Sequence, residues 1–215
     1  MNTALYYGPL MMESAGVKIA GLSDDESSLI LNIPLGFANF LGNIVCVLYI
    51  DKLGRRGVML RALPIMSACW LVAAIGMSFT GDGRSESSQE IGGYFVVGAI
   101  FLFLFFFAIG MGSPPWALNA EIYPLHLIGT ANSMAASSNW IANFAVSESF
   151  KVIMGINLTA QVIMYFMLCV FGALAWVFVF YLIPETANKP IEQILEDILG
   201  ADFLEKEKKR NSIRQ

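Results

Sequence analysis

Long apolar runs dominate the chain, and short polar clusters divide them. The runs at 29–50, 58–79, 94–118, 130–154 and 158–183 are each about 20 to 26 residues long, the length an α-helix needs to cross a hydrocarbon core of roughly 30 Å. They predict five membrane-spanning helices. Residues 1–12 are apolar too, but at ~1.5 Å per residue they reach only about 18 Å, so they predict a partial span. They lack the basic leader and small-residue cleavage site of a signal peptide, a pattern expected of a chain that starts partway into a helix, as a fragment of something longer. The run at 94–118 is the most informative. Its residues 95–116 read FVVGAIFLFLFFFAIGMGSPPW, apolar until Gly-Ser-Pro-Pro interrupts them. Proline inside a span frees backbone carbonyls, which must find partners in protein or in a watery cavity. A broken span points to transport or conduction rather than to anchoring.

Composition strengthens this picture. The chain is 56% hydrophobic and 14% charged, with a mean hydropathy of +0.62. One soluble core could not hide so much apolar surface, so a lipid bilayer is the expected surrounding and nucleic acid is not an expected partner. The net charge of -4 does not set orientation; local Lys/Arg asymmetry does. Asp51-Lys52-Leu53-Gly54-Arg55-Arg56-Gly57, with Arg61 just beyond, joins two spans, and Lys189, Lys206, Lys208, Lys209, Arg210 and Arg214 follow the last one. By parity these segments share a face, and the basic excess predicts that it is cytoplasmic. The other loops carry Asp24, Asp25, Glu26, Asp82, Glu86 and Glu90 against Lys18 and Arg84, and are predicted outside. Within the cytoplasmic segment 184–215, Ile191, Ile194, Leu195, Ile198 and Leu199 repeat at i, i+3, i+4, i+7 and i+8. That spacing predicts an amphipathic helix docked on the bundle or the membrane surface, with a partner-binding segment as the second reading. The KEKKR run after it could touch anionic lipid, but a short basic tail is more often merely solvated.

Two spans carry asparagine stripes. Asn32, Gly36, Asn39 and Asn43 fall on one arc of a helix, and Asn132, Ala136, Asn139 and Asn143 repeat the spacing. Both stripes must face protein or water. Interhelical hydrogen bonding explains Asn32, Asn132 and Asn143 as well as a pathway would. Asn39 and Asn139 lie near midspan and are predicted to contact a polar solute, since an amide offers both donors and acceptors to a polyhydroxylated ligand. Trp116 follows the Pro-Pro break and Trp140 follows Asn139; a flat indole against the apolar face of a sugar-like ring, with amides at its rim, makes a mixed pocket. Trp70 and Trp176 are predicted to be interfacial anchors.

Candidate chemistry adds little else. The single histidine, His126, falls in a predicted cytoplasmic loop without a catalytic or metal-ligating constellation around it, so neither an enzyme nor a bound cofactor or metal is expected. Cys46, Cys69 and Cys169 lie within apolar runs and read as small membrane hydrophobes. Glu121 and Glu148 are the acids nearest the spans, at their ends, where ion pairs or solvation account for them.

NTALYY at 2–7, DKLGRR at 51–56, GSPPWALNAEIYP at 112–124, SNWIANF at 138–144 and PET at 184–186 together resemble the C-terminal half of the sugar porters of the major facilitator superfamily. GMGSPPWALNAEIYPL and NWIANFAVSESF look most like proton-coupled myo-inositol transporters. The resemblance implies an all-α membrane protein, a six-helix half-bundle over residues 1–183 with a truncated first helix. It implies alternating-access transport of a sugar or polyol, myo-inositol or a hexose, in the plasma membrane, with a missing N-terminal half-bundle as partner, and leaves proton symport and uniport both open. By motif position, Asn2, Asn39, Trp116, Asn139 and Trp140 would contact substrate. Gly112, Pro114 and Pro115 would let a helix flex, Tyr6 and Tyr7 would gate the outer side, and Asp51, Arg55 and Glu121 would form a cytoplasmic charge cluster that steadies the outward-open state. Three features depart from the family: the paired glutamines and glycine that precede Asn2 are missing, Ile128 stands where an arginine is usual, with His126 and Leu127 before it, and the tail reads PETANKP. The competing reading is a truncated membrane protein without transport activity, an assembly partner or a sensor.

Overall fold

In the computed structural model, residues 1–14, 24–81, 83–124 and 126–200 are described. They form α1 (Asn2–Ser14), α2 (Asp24–Leu53), α3 (Arg55–Ser78), α4 (Glu86–Phe107), a π-helical turn at Ala108–Gly112, α5 (Pro114–Glu121), α6 (Ile128–Met154), α7 (Leu158–Leu182) and α8 (Ile191–Leu199). No strand occurs among the described residues. Lys18 and Asp82, like the basic residues after Gly200, lie outside them.

Four helical stretches are long and apolar enough to cross a membrane: Asn32–Leu53, Arg55–Ser78, Glu86–Glu121 and Leu158–Leu182. The third takes α4, the π turn and α5 together. It begins earlier than the apolar pattern at 94–118 suggests, so Glu86 and Glu90 are helical rather than part of a loop. Ser85 explains the early start, because its hydroxyl caps the backbone N–H of Ser88 at 3.4 Å, and Glu86 in the first turn suits the positive end of the helix dipole. At 27 residues α6 is long enough to span, yet its asparagines and serines keep it out of that apolar class.

The packing centre is α3, which meets α7 and α4 most extensively. Small residues allow the approach. A Cβ on Gly92 of α4 would stand 2.6 Å from the Gly76 carbonyl of α3, so only glycine permits this crossing. Around it an aromatic ladder links five helices. Tyr7 of α1 stacks on Phe150 of α6 at 5.6 Å, Phe150 meets Tyr165 of α7 at 6.2 Å, and Tyr165 stacks on Trp70 of α3 at 5.8 Å. Trp70 then contacts Phe103 of α4 at 4.6 Å, and Phe103 meets Phe107 at 5.9 Å.

This ladder corrects the expectation of interfacial tryptophans. Trp70 is buried in the core. Trp176 of α7 is half-buried, donates from Nε1 to the Leu60 carbonyl at 3.1 Å and stacks on Phe180. An indole whose N–H is met by a neighbouring helix has no need of the headgroup layer.

The amphipathic helix forms as α8 directly after Pro190, with Ile194 and Leu195 buried. Lys189 pairs with Asp197 at 2.7 Å and ties the start of the helix to its second turn.

Candidate functional site: a cavity between α1, the helix break and α6

The break in the third apolar stretch starts before its prolines. Backbone geometry widens to π at Ala108, and α5 begins at Pro114, where the missing N–H costs nothing in a first turn. Two close approaches hold the widened turn. A Cβ on Gly110 would overlap that of Ala62 on α3, and one on Gly42 of α2 would overlap the Phe105 carbonyl and approach the Ala108 Cβ. The π turn is thus wedged between α2 and α3 by residues too small to push it away.

Against this turn lies a cavity of about 450 Å³, within the size range of small-molecule sites. One wall is the start of the chain, with Met1, Asn2 and Thr3. The break supplies Phe107, Met111, Gly112 and Trp116. The third wall is α6, with Asn139, Trp140, Ala142, Asn143 and Val146. No Asp, Glu, Lys or Arg side chain is among these residues. The side-chain amides of Asn2, Asn139 and Asn143 make no hydrogen bond to another described residue, so their donors and acceptors are free. Trp116 and Trp140 are about half exposed, and their indole N–H groups are likewise unspent.

Of the residues singled out from sequence, Asn2, Gly112, Trp116, Asn139 and Trp140 therefore come together. Asn39 stands behind the cavity wall. Its Nδ2 donates to Met1 Sδ at 3.4 Å, and its carbonyl and Oδ1 accept from Asn43 Nδ2 at 2.9 and 3.2 Å. Tyr7 is committed to the Phe150 stack, Tyr6 is 64% exposed, and Pro114 and Pro115 shape the break without lining the cavity. Sequence reasoning missed Thr3 and set Asn143 level between packing and pathway. The stripe spacing held the signal for Asn143, since it repeats Asn139 one turn on. Asn132 does serve packing, accepting from Asn119 Nδ2 of α5 at 2.9 Å.

At the start of α3, Arg55 binds Asp51 at 3.0 Å and Glu121 at 3.1 Å. The cluster therefore joins the end of α2, the start of α3 and the end of α5. Among the described residues Glu121 Oε2 is buried without a partner. Glu185, from the PET segment, fills a different place. Its Oε2 accepts from the Gly57 N–H at 3.2 Å and its Oε1 from the Thr186 and Ala187 N–H groups at 3.0 and 3.1 Å, so a carboxylate sits at the positive end of α3. Gly54, at φ 77°, lies directly under that carboxylate, where a Cβ would collide with it.

Known proteins share this arrangement of segments. Membrane transporter D1 of Leishmania donovani is 32% identical over 197 residues, covering 90% of this chain and 34% of its own length. Myo-inositol transporter 2 of Schizosaccharomyces pombe is 28% identical over 194 residues, covering 90% of this chain and 33% of its own. The chain thus spans about a third of the length of these curated relatives. Among solved structures, the proton:xylose symporter XylE bound to 6-bromo-6-deoxy-D-glucose superposes with a TM-score of 0.73 at 25% identity, over 90% of this chain and 38% of that one. Residues 1–198 match the family model described as Sugar (and other) transporter. The chain belongs to this family of multi-pass membrane transporters, and its all-α bundle is one half of the major facilitator superfamily fold.

Proposed function

We propose that the chain is the substrate-holding half of a carrier that moves a neutral polyhydroxylated solute, a sugar or polyol such as myo-inositol or a hexose, by alternating access. The observation that carries this reading is the convergence of three free amides and two indoles on one cavity without a charged side chain. Each amide both donates and accepts, as hydroxyl groups require, while the indoles suit the apolar faces of a ring. A phosphorylated or ionised solute would lose its hydration there without gaining a charged side chain as partner.

The remaining parts fit the same cycle. The π turn and the α5 prolines supply a bending point beside Trp116. Asp51, Arg55 and Glu121 tie three helix ends together in the outward-open state, with Glu185 seated next to them, and Tyr6 and Tyr7 flank the outer end. Residues 1–183, with α6 as the fifth full span, form the membrane half-bundle, and 184–215 lie on the cytoplasmic side of the plasma membrane. A second half-bundle completes the cavity's open side, in keeping with relatives about three times as long. Among the described residues no acid lines the cavity.

Uptake of labelled myo-inositol, D-glucose and trehalose into cells making the full-length gene product tests the reading. Saturable, stereospecific uptake of at least one is expected, with KM raised about tenfold in Asn139→Ala and maximal uptake reduced more by Trp116→Leu than by Trp176→Leu. Absence of uptake of all three, or wild-type KM in Asn139→Ala at normal surface amounts, contradicts it. Residues 1–215 alone, in liposomes, are expected to show no counterflow, since their cavity lacks a wall.

A further inference from the structure

Beside the cavity, Thr3 Oγ1 of α1 and Ser147 Oγ of α6 meet at 3.1 Å. Thr3 is 9% and Ser147 8% exposed, and neither hydroxyl bonds any other described residue. Among the described residues this is the one polar side-chain contact between α1 and α6. The Tyr7–Phe150 stack between the same helices is apolar and fixes their axial register less strictly than a directed hydrogen bond does. Position makes the pair more than packing. Thr3 directly follows Asn2, and Ser147 lies one helical turn beyond Asn143, so each hydroxyl neighbours an asparagine with a free amide on the cavity.

We propose that Thr3 and Ser147 are positioning residues, whose hydrogen bond fixes α1 against α6 so that a single polyhydroxylated solute can bond the amides of Asn2 and Asn143 together. The inference rests on the reading of the cavity as a sugar or polyol site. It assigns to two hydroxyls a part in affinity although neither is counted among the solute's amide and indole contacts.

Stability and affinity separate the two roles. In Thr3→Val the Ser147 hydroxyl is stranded in a buried place, and in Ser147→Ala the Thr3 hydroxyl is; each stranded group lowers stability. In the double variant neither hydroxyl is left unpaired, so stability returns towards wild type. A purely structural pair would regain affinity with it. A positioning pair would not, because the bond that sets the register is still gone.

The experiment measures uptake kinetics of labelled myo-inositol, D-glucose and trehalose by the full-length gene product, together with thermal unfolding of the purified protein. Both single variants are expected to raise KM about tenfold, the equivalent of one lost hydrogen bond, with a smaller change in maximal rate. The double variant keeps the raised KM while its unfolding temperature recovers, and Thr3→Ser, which retains the hydroxyl, stays near wild type in both. Recovery of KM in the double variant, or wild-type KM in all variants, overturns the positioning role and leaves the transport reading standing. Failure of the wild type to take up any of the three solutes overturns the transport reading, and this inference with it.

Discussion

Helices α3 and α6 have similar lengths, 24 and 27 residues, and opposite surroundings. Twelve residues of α3 are buried, against Ser147, Phe150 and Met154 on α6. α3 is enclosed by α4, α7 and the π turn, and its one buried orphan hydroxyl, Ser67 Oγ, lies against Gly172 of α7. α6 leaves Met134, Trp140, Ile141 and Phe144 exposed and turns Asn139 and Asn143 to the cavity. The difference teaches that this half-bundle divides into a block that holds its shape and a face that meets something else. The same residue type has opposite work in the two regions: Trp70 fills space, whereas Trp140 presents its ring.

The contrast breaks most sharply at those two tryptophans. Trp70→Ala removes a ring that stacks on Tyr165 and packs on Phe103, and is expected to destabilise the purified protein by about 3 to 5 kcal/mol. Trp140→Ala is expected to change unfolding by about 0.5 kcal/mol or less while weakening solute binding. Similar unfolding temperatures for the two variants would erase the distinction between block and face.

A smaller effect is expected at the charged end. Arg55→Ala leaves Glu121, 26% exposed, without its only ion pair among the described residues, and should cost about 1.5 to 3 kcal/mol. Asp51→Asn alters a side chain that is 79% exposed and should cost less than about 1 kcal/mol. Equal losses in chemical or thermal unfolding would mean that the exposed and enclosed arms of the cluster are equivalent.

Gly110→Ala sharpens the boundary between the two regions. The added methyl overlaps the Ala62 Cβ, so the π turn must shift away from α3, at about 1 to 3 kcal/mol. Because the same turn carries Met111 and Gly112 on the cavity, a fall in solute affinity should accompany the fall in unfolding temperature.

Much of this division was legible in the chain, for local reasons. Apolar length marks α2, α3, the α4–α5 stretch and α7, and Pro114-Pro115 marks the break. Asn139 stood out because an amide is costly to leave in lipid, and Trp140 and Trp116 because they adjoin that amide and the Pro-Pro break. What stayed hidden depends on neighbours distant in sequence. The π turn begins at Ala108 because Gly42 and Gly110 let α2 and α3 close on it, which no local pattern records. Trp176 looks like an anchor until the Leu60 carbonyl is seen beneath its N–H. Asn39 shares its stripe spacing with Asn139, but its amide is taken up by Met1 and Asn43, and only the placement of the chain start beside α2 reveals this. Thr3 and Ser147 are unremarkable in isolation and gain meaning only as a pair.

The central claim, that the face of α6 bearing Asn139 and Asn143 holds a neutral polyhydroxylated solute, is most directly tested by protection from a membrane-impermeant maleimide. Ala142 lines the cavity, and Ala145, three residues on, is exposed without lining it. With Cys46, Cys69 and Cys169 replaced to remove background, Ala142→Cys and Ala145→Cys in the full-length gene product are labelled with and without myo-inositol, D-glucose or trehalose. Slower labelling of Ala142→Cys by a saturating solute, with Ala145→Cys unaffected, is the predicted result. Equal labelling of Ala142→Cys with and without all three, or equal protection of both positions, would contradict it.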